Sequence, residues 1–286
     1  MKRNFTLFTK TVVLFGVLLI QSCTDDVVVP NNITYLLKGK ITETKMRIYA
    51  GPEVAVGDGL ARTWVTLDSK GYPMEIAIEI SEDAIKNPGE DSEMDMADGA
   101  MEMEHGQMIM LPLHSQAQKS TPFNHVGINW NPHGHPPAQV FDSPHFDFHF
   151  YTIPLEEQLA IPGWSTATDA LFNTYPDAAF LPANYFTPPG ADTAEAQMGK
   201  HWIPTNIGDY LPFSKILVYG SYNGKVNFIE PMVTQAYLLQ KINTSESYSQ
   251  PLKVQTKGNY PTKYNIYHDT KTGKTQITLS DFVTRN

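Results

Sequence analysis

The chain has 286 residues, of which 41% are hydrophobic and 11% aromatic, and its formal net charge at neutral pH is −9. This length is enough for one large domain or two small ones around a sizeable core. The acidic excess argues against a nucleic acid or an anionic lipid surface as partner. Because the chain has a single cysteine, it cannot close a disulfide on itself, and its stability must come from burial.

The first 22 residues are predicted to be a secretory signal. Lys2, Arg3 and Lys10 accompany an apolar run that reaches the sequence Ile20-Gln21-Ser22-Cys23, and this run is too short and too early for a transmembrane helix. A small residue directly before a cysteine resembles the bacterial lipoprotein cleavage box, in which the cysteine becomes the lipid-modified first residue. The alternative is an ordinary signal peptide followed by a free thiol at Cys23.

Lipidation of Cys23 would determine location and partners. We expect residues 1–22 to be removed, residues 23–33 to act as a tether, and residues 34–286 to form a β-rich domain at the outer membrane of the cell envelope, on its periplasmic face or at the cell surface. Removing residues 1–22 takes away three of the 21 cationic side chains and none of the 30 acidic ones, which leaves a net charge of −12. The lipid anchor is therefore the only membrane contact expected. Homo-oligomerisation and the identity of any small-molecule ligand stay open.

Extended runs of β-branched and aromatic residues recur along the chain, with Gly, Pro and Asn between them, which predicts a mainly β protein. The predicted strands cover residues 35–49, 62–67, 74–80, 107–113, 125–130, 145–153, 215–222 and 225–229. Asn223-Gly224 predicts a tight hairpin between the last two of these strands, and Thr272-Gly273 predicts another near the C-terminus.

Helices are predicted to be short and few, over residues 81–86, 155–161, 168–173 and 233–241. The stretch from Pro154 to Pro212 is rich in proline and shows little periodicity. We expect it to be a long ordered loop with short helices rather than a second sheet. No repeat and no long linker divides the chain, so the predicted fold is a single β-sandwich or barrel-like domain.

A methionine-rich acidic segment lies between residues 87 and 106 and ends near His105, with Met108 and Met110 just beyond it. Thioethers are soft ligands, so such a tract can bind Cu(I) in an oxidising compartment. The favoured interpretation is a mobile acidic loop followed by strand residues, because methionine also fills irregular gaps in hydrophobic cores.

The segment from His145 to Tyr151 alternates polar and aromatic side chains without a break. In a strand, successive side chains face opposite ways, so His145, Asp147 and His149 would share one face and three phenylalanines the other. The aromatic face predicts burial in a core, and the polar face predicts part of a metal site. The alternative for the polar face is a hydrogen-bonded network without metal.

Strand geometry limits how these residues can share an ion. His145 and His149 are about 13 Å apart along a strand, so one ion would reach both only at full side-chain reach or across a bulge, and sharing of either histidine with Asp147 is favoured. His133-Gly134-His135 could add a pair of imidazole ligands from the preceding loop.

Two later segments could complete the ligand set. His201 follows a glycine in Met198-Gly199-Lys200-His201-Trp202, and Glu230 is the one acid among apolar residues in Phe228-Ile229-Glu230-Pro231-Met232. An acid so flanked needs a partner, because burying an unpaired charge costs several kcal/mol. A metal or a histidine would supply it. The alternatives are a salt bridge at a strand end for Glu230 and a hydrogen-bonded histidine for His201.

These segments together resemble a family of secreted bacterial proteins of unknown function, typified by a Thermus protein under sigma-E control. The resemblance covers nearly the whole mature chain and includes Val56 to Asp68, Trp130 to Pro137, Pro144 to Tyr151, Met198 to Trp202 and Tyr219 to Met232. It implies a β-rich fold and a shared cluster of His135, His145, Asp147, His149, His201 and Glu230. It does not extend to His133 or to the methionine-rich insert, and it implies no substrate.

Three classes of function stay open on the sequence. The first is a cell-envelope lipoprotein with a transition-metal site, with zinc as the first expectation and iron or copper as alternatives. The second is a metal-dependent enzyme, either a hydrolase or a cupin-like oxygenase. Gly127 and the His133-Gly134-His135 sequence imitate the start of a cupin metal motif, but no glutamate follows at the expected spacing. The third is a structural envelope protein whose histidines form a metal-free polar network.

Overall fold

The computed structural model of the protein describes residues 31–37, 40–89 and 108–286. The predicted signal peptide, Cys23 and the methionine-rich stretch over residues 90–107, His105 included, lie outside the described residues. The first described strand begins at Asn31, within the segment predicted as a tether.

The described part of the chain is built mainly from antiparallel strands. The strands are β1 (Asn31–Leu37), β2 (Lys40–Ala50), β3 (Val54–Val56), β4 (Gly59–Leu67), β5 (Pro73–Ser81), β6 (Ile109–Leu111), β7 (His125–Asn131), β8 (His145–Tyr151), β9 (Tyr185–Phe186), β10 (Ala194–Glu195), β11 (Gly199–Pro204), β12 (Lys215–Tyr222), β13 (Lys225–Thr234), β14 (Thr244–Ser247), β15 (Gly258–Tyr260), β16 (Lys263–Asp269), β17 (Lys274–Ser280) and β18 (Val283–Arg285). The helices are α1 (Glu82–Lys86), α2 (Ser115–Ser120), α3 (Leu155–Leu159), α4 (Asp169–Phe172) and α5 (Gln235–Leu239), with 3₁₀ turns at Ala178–Phe180 and Ile207–Tyr210.

The strands form two large sheets and one small one. The first sheet has the order β1-β2-β4-β5-β17-β16-β14, with β3 beside β4, and the second has the order β10-β11-β12-β13-β8-β7-β6, with β9 beside β11. β15 and β18 pair separately. The two large sheets contribute buried side chains to a common hydrophobic core, including Ile78 and Ile277 from the first and Phe148 and Ile229 from the second. This arrangement is that of a β-sandwich and confirms the predicted fold class.

Most predicted elements are present, but the strand predicted over residues 35–49 is two strands, and the strands after residue 243 were not among the predicted strand ranges. α2 was not predicted: its sequence is polar, and the side chain of His114 caps it by accepting from the Gln116 amide at 3.1 Å. The Pro-rich stretch is mostly loop with short helices, as expected, and it also contains the short strands β9 to β11. β11 pairs with β12 from Lys200 to Trp202 and extends the second sheet.

No helix among the described residues is long and apolar enough to cross a membrane.

Candidate metal centre

β8 has the two-faced character that its sequence predicts. All of its residues are buried, but the two faces lie in different surroundings. Phe146, Phe148 and Phe150 belong to the core between the sheets. His145 and His149 therefore point away from that core, onto the outer face of the second sheet.

The outer face is covered by loops rather than by a third sheet, and two apolar clusters lie on it. One contains Phe141, Phe213 and Met232, and its rings contact His145 with a centroid distance of 5.2 Å for Phe213. The other contains Tyr151 and Phe228, and the Phe228 ring lies 4.9 Å from that of His149. The polar side chains of β8 thus lie in a dry environment despite facing outward.

The first group of polar side chains joins β8 to the preceding loop. His145 Nε2 lies 3.2 Å from Asp147 Oδ1, and His135 Nε2 lies 3.5 Å from Asp147 Oδ2. His145 and Asp147 are fully buried, and the His135 side chain is 7% exposed. We call His135, His145 and Asp147 the first triad.

The second group joins three strands of the second sheet, β8, β13 and β11. β13 pairs with β8 so that Ile229 faces Phe150 and Met232 faces Asp147, which brings Glu230 opposite His149. His149 Nε2 lies 3.4 Å from Glu230 Oε1, and His201 Nε2 on β11 lies 3.5 Å from Glu230 Oε2. We call His149, His201 and Glu230 the second triad.

His201 reaches Glu230 across β12, where Gly220 leaves room for the Phe228 ring. Gly220 is paired with His201 on one side and with Phe228 on the other. A Cβ atom at this glycine would lie 2.0 Å from the Phe228 ring. The Phe228 ring occupies that space and lies 5.2 Å from the His201 ring.

Backbone carbonyls fix the orientation of three of the four triad histidines. Nδ1 of His135 bonds to the Pro136 carbonyl at 2.8 Å, that of His145 to Ser143 at 2.6 Å, and that of His201 to Thr193 at 3.2 Å. A carbonyl can only accept, so each Nδ1 carries the proton and, in a neutral ring, each Nε2 carries a lone pair directed at the carboxylate. This arrangement is typical of histidines that bind metal through Nε2.

The spacing of the facing atoms suits a shared ion better than direct hydrogen bonds. Ligands about 2.0–2.1 Å from a tetrahedral ion lie about 3.3 Å from each other, and the four N–O distances are 3.2–3.5 Å. Both ring nitrogens of His149, Nε2 of His145, Oδ1 of Asp147 and Oε2 of Glu230 are buried without a hydrogen bond. In each triad the three candidate ligand atoms lie within 4.8 Å of one another. The two buried triads could each hold a metal ion.

Burial and neighbouring charges set the protonation of the second triad. Burial lowers the pKa of His149 to about 3 and that of His201 to about 4, so both rings are neutral at pH 7. Burial and the nearby Asp147 carboxylate raise the pKa of Glu230 well above its usual value. Neutral imidazoles are the form that binds metal, whereas the carboxylate needs a cation to stay ionised in this environment.

The first triad is electrostatically different. Burial opposes the ionisation of both partners, but the Asp147 carboxylate outweighs it at His145 and raises the pKa of that ring. The neighbouring histidines His145 and His135 likewise outweigh burial at Asp147 and hold its pKa well below its usual value. Asp147 also accepts a 2.6 Å bond from Nδ2 of the buried Asn131. Without metal, this triad would be an imidazolium–carboxylate pair.

A small cavity lies where the triads approach each other. It is lined by His135 and His201 together with Phe141, Thr193 and Glu195, and its volume of about 10 Å³ has room for about one water molecule. A ligand of that size could complete the coordination of an ion, but an organic substrate could not enter.

The predicted site residues are distributed unevenly. His135, His145, His149, His201 and Glu230 belong to the two triads, and Asp147, predicted to share an ion with His145 or His149, belongs to the first triad with His145. His133 is exposed and belongs to neither triad. Asn131 was missed, although Asn129 and Asn131 alternate along β7 in the way that signals one polar face.

The part of the methionine-rich region that the structure describes takes part in packing. The Met108 sulfur lies 3.5 Å from the Gln158 amide nitrogen and 3.8 Å from the Tyr151 hydroxyl. Gln158 in turn bonds to His125 at 3.0 Å. Met108 and His125 are thus tied into a polar network beside the second triad.

Comparisons of this chain with protein-family models, with curated proteins and with solved structures found no match.

Proposed function

We propose that the protein is a cell-envelope lipoprotein that binds transition-metal ions in the two triads. The second triad carries this proposal. Two neutral, buried histidines have their Nε2 atoms 3.4 and 3.5 Å from the oxygens of one buried carboxylate, which exceeds the 2.5–3.0 Å of an O–H hydrogen bond by about 0.5 Å. A shared cation explains both the distances and the burial of the carboxylate.

Zinc is the first metal we propose. Two imidazoles and one carboxylate are a common zinc ligand set, and a fourth ligand of water size completes a tetrahedron. The same donors also form the two-histidine, one-carboxylate set of non-haem iron, and imidazole accepts copper as well. Carboxylate donors and the absence of thiolates from both triads make Cu(I) the weakest of these alternatives.

A metal-dependent enzyme is the second candidate, and the number of ligands favours it. Each triad offers three protein ligands, and three ligands with one exchangeable position are typical of catalytic sites. The cavity of about 10 Å³ restricts such an activity to reactants of about the size of water. This restriction favours ion binding over a hydrolase that acts on an organic substrate.

A metal-free polar network is the third candidate, and the first triad favours it. The raised pKa of His145 and the lowered pKa of Asp147 describe an ion pair that stabilises itself. The second triad has no such compensation, because both of its histidines have lowered pKa values. Metal binding to the second triad alone, with the first triad metal-free, is therefore an outcome between metal in both triads and metal in neither.

Metal stoichiometry in single variants tests the proposal. Untagged protein purified from cells, and the same protein stripped by chelation and reloaded with zinc, should hold two ions per chain. His149→Gln should lose the ion of the second triad and His145→Gln that of the first, as measured by elemental mass spectrometry and by calorimetric titration with zinc. Each variant should keep the ion of the other triad.

His133→Gln is the matched control, because His133 is exposed and belongs to neither triad. This variant should keep the wild-type stoichiometry. If wild-type protein holds no stoichiometric metal and zinc leaves its melting temperature unchanged, the cluster is a polar network. Melting with and without zinc also detects a variant that folds poorly, because bound metal raises the melting temperature of any variant with an intact site.

The envelope location rests on the sequence around Cys23, and we propose lipidation of this residue as the means of attachment. The same proposal includes membership of the family of secreted bacterial proteins that the chain resembles. The two triads consist of the six residues of the cluster that this resemblance implies.

A further inference from the structure

A second cavity lies apart from the candidate metal centre and has a volume of about 650 Å³. Sites for small organic ligands typically have volumes of about 300–1,000 Å³. Its walls come from residues 118–124 at the end of α2, residues 152–157, the start of β13 and the segment 248–261. It shares no lining residue with the cavity between the triads and contains no triad residue, although Phe228 borders both this cavity and the second triad. The inference about it does not depend on the proposed metal function.

The charge of this cavity is opposite to that of the whole chain. The chain has 30 acidic and 21 cationic side chains, but the cavity is lined by five cationic ones and a single carboxylate. The cationic residues are Lys119, Lys225, Lys253, Lys257 and Arg285, and the carboxylate is Glu157. Glu157 lies 3.3 Å from Lys225 Nζ, and within the described ranges the other three lysines form no salt bridge. A cluster of one sign inside a concave surface attracts ligands of the opposite charge.

The walls of the cavity are held by hydrogen bonds that involve its own lining residues. Asn259 Nδ2 donates to the Ser120 carbonyl at 3.0 Å, and the Tyr248 hydroxyl donates to the Pro261 carbonyl at 2.6 Å. Arg285 Nη2 donates to the Pro251 carbonyl at 2.6 Å, which uses one of the five donors of a guanidinium group. The segment 248–261 is therefore fixed against the sandwich, and binding would require little ordering of the protein.

Aromatic side chains add apolar surface to the cationic lining of this cavity. Phe180, Tyr219, Tyr248 and Tyr260 line the cavity. Aromatic surfaces with a few charged groups are typical of sites for organic ligands rather than for inorganic ions. We propose that this cavity binds an organic anion that carries several sulfate, phosphate or carboxylate groups on a compact carbon framework.

Calorimetric titration of the full chain tests this proposal with sucrose octasulfate as the sulfated probe and trigalacturonate as the carboxylated probe. At least one of them should bind saturably at one site per chain, more weakly as salt is added, and uncharged sucrose should not bind. Lys253→Gln combined with Lys257→Gln should weaken binding about tenfold, the effect of losing two ion pairs near the upper end of surface strength. Both lysines are exposed, so this variant should fold normally.

Lys70→Gln combined with Lys271→Gln is the matched control. It removes the same charge from two exposed turns outside the cavity, and its affinity should equal that of the wild type. Equal weakening in the two double variants, or no binding of either probe, would overturn the proposal. Binding to vesicles that contain phosphatidylglycerol without binding to either soluble probe would also overturn it and would indicate a membrane-facing surface. Chelation of the protein should leave probe binding unchanged, which separates this site from the metal centre.

Discussion

The addition of a single methyl group at Gly220 should disturb the second triad and leave the first triad intact. A methyl group there would lie 2.0 Å from the Phe228 ring, and that ring contacts both His149 and His201. Gly220→Ala should therefore displace Phe228 and destabilise the fold by about 1–3 kcal/mol, as overpacking does. It should also weaken zinc binding at the second triad and leave the first triad occupied.

Gly163→Ala is the control for this prediction. A Cβ atom at Gly163 meets nothing within 4 Å, so the substitution should change neither stability nor metal content. Denaturant unfolding and zinc stoichiometry of the two variants provide the comparison. Wild-type affinity at both triads in Gly220→Ala would show that the Phe228 ring does not position the second triad.

Asn131 is a residue whose role depends on a partner that the sequence does not reveal. Its Nδ2 donates to Asp147 Oδ2 at 2.6 Å, and both side chains are buried. Asn131→Ala leaves a carboxylate oxygen without this donor and should cost about 1–3 kcal/mol. Unfolding in denaturant measures the loss, which zinc should reduce because the ion takes over part of the neutralisation of Asp147.

At this scale the sequence identified the side chains of the two triads but not their grouping. His145, Asp147 and His149 were predicted on one face from alternation alone, and that face is the one observed. The separation of His145 and His149 into different triads follows from the strand spacing of about 13 Å. The approach of His201 to Glu230 depends on pairing across β12, which no local pattern reveals.

β8 offers a test of how independent the two faces of one strand are. Phe148 is fully buried in the core between the sheets, so Phe148→Ala should lower the free energy of unfolding by about 3–5 kcal/mol. It should leave two zinc ions bound, because the triads lie on the opposite face. Phe148→Ala should lower the melting temperature and keep two zinc ions, whereas His149→Gln should lose the zinc ion of the second triad. Loss of both ions in Phe148→Ala would contradict the separation of the faces.

The elements that the sequence predicted well have either a period of two or a continuous run of apolar and β-branched residues. β7, β8 and β12 were located within a few residues because their apolar and β-branched residues mark them locally. β11 was missed because five of its six residues are buried, so Gly199 to Pro204 shows no regular alternation of exposed and buried residues. α2 was missed because a single polar turn has almost no pattern to detect.

At the scale of the whole molecule, membrane attachment is predicted to depend on one residue. Cys23→Ser should release the protein from membranes into the soluble fraction, because an acyl chain contributes roughly 0.8 kcal/mol for each buried methylene. Fractionation of cells that express wild-type and variant protein measures this. Equal membrane association of the two proteins would contradict lipidation. Metal content should be the same in both, since the triads lie within the folded domain.

Acid stability of the metal-free protein depends on all its buried ionisable groups together. Between pH 6.5 and 4.5 the unfolded chain protonates His149 and His201, whereas the folded protein keeps both neutral because burial lowers their pKa values to about 3 and about 4. Their contribution to stability is therefore present above pH 6.5 and is lost on acidification. Glu230 acts in the opposite direction, because burial raises its pKa above 4.5 and the folded protein holds a proton there that the unfolded chain has released.

The contributions of His149 and His201 outweigh that of Glu230, so the metal-free protein should lose stability as the pH falls from 6.5 to 4.5. The lowered pKa of His125 and the raised pKa of Glu75 change stability with pH in opposite directions, so they offset each other. The double variant His149→Gln, His201→Gln has neither of the two histidines whose protonation favours the unfolded chain, but it keeps Glu230. The slope of stability against pH should therefore reverse in this range. Thermal unfolding of chelated protein across the range measures both slopes, and the same slope in the two proteins would contradict this account. Zinc-loaded wild type should lose stability more steeply than either, because acidification also releases the ions by protonating their histidine ligands.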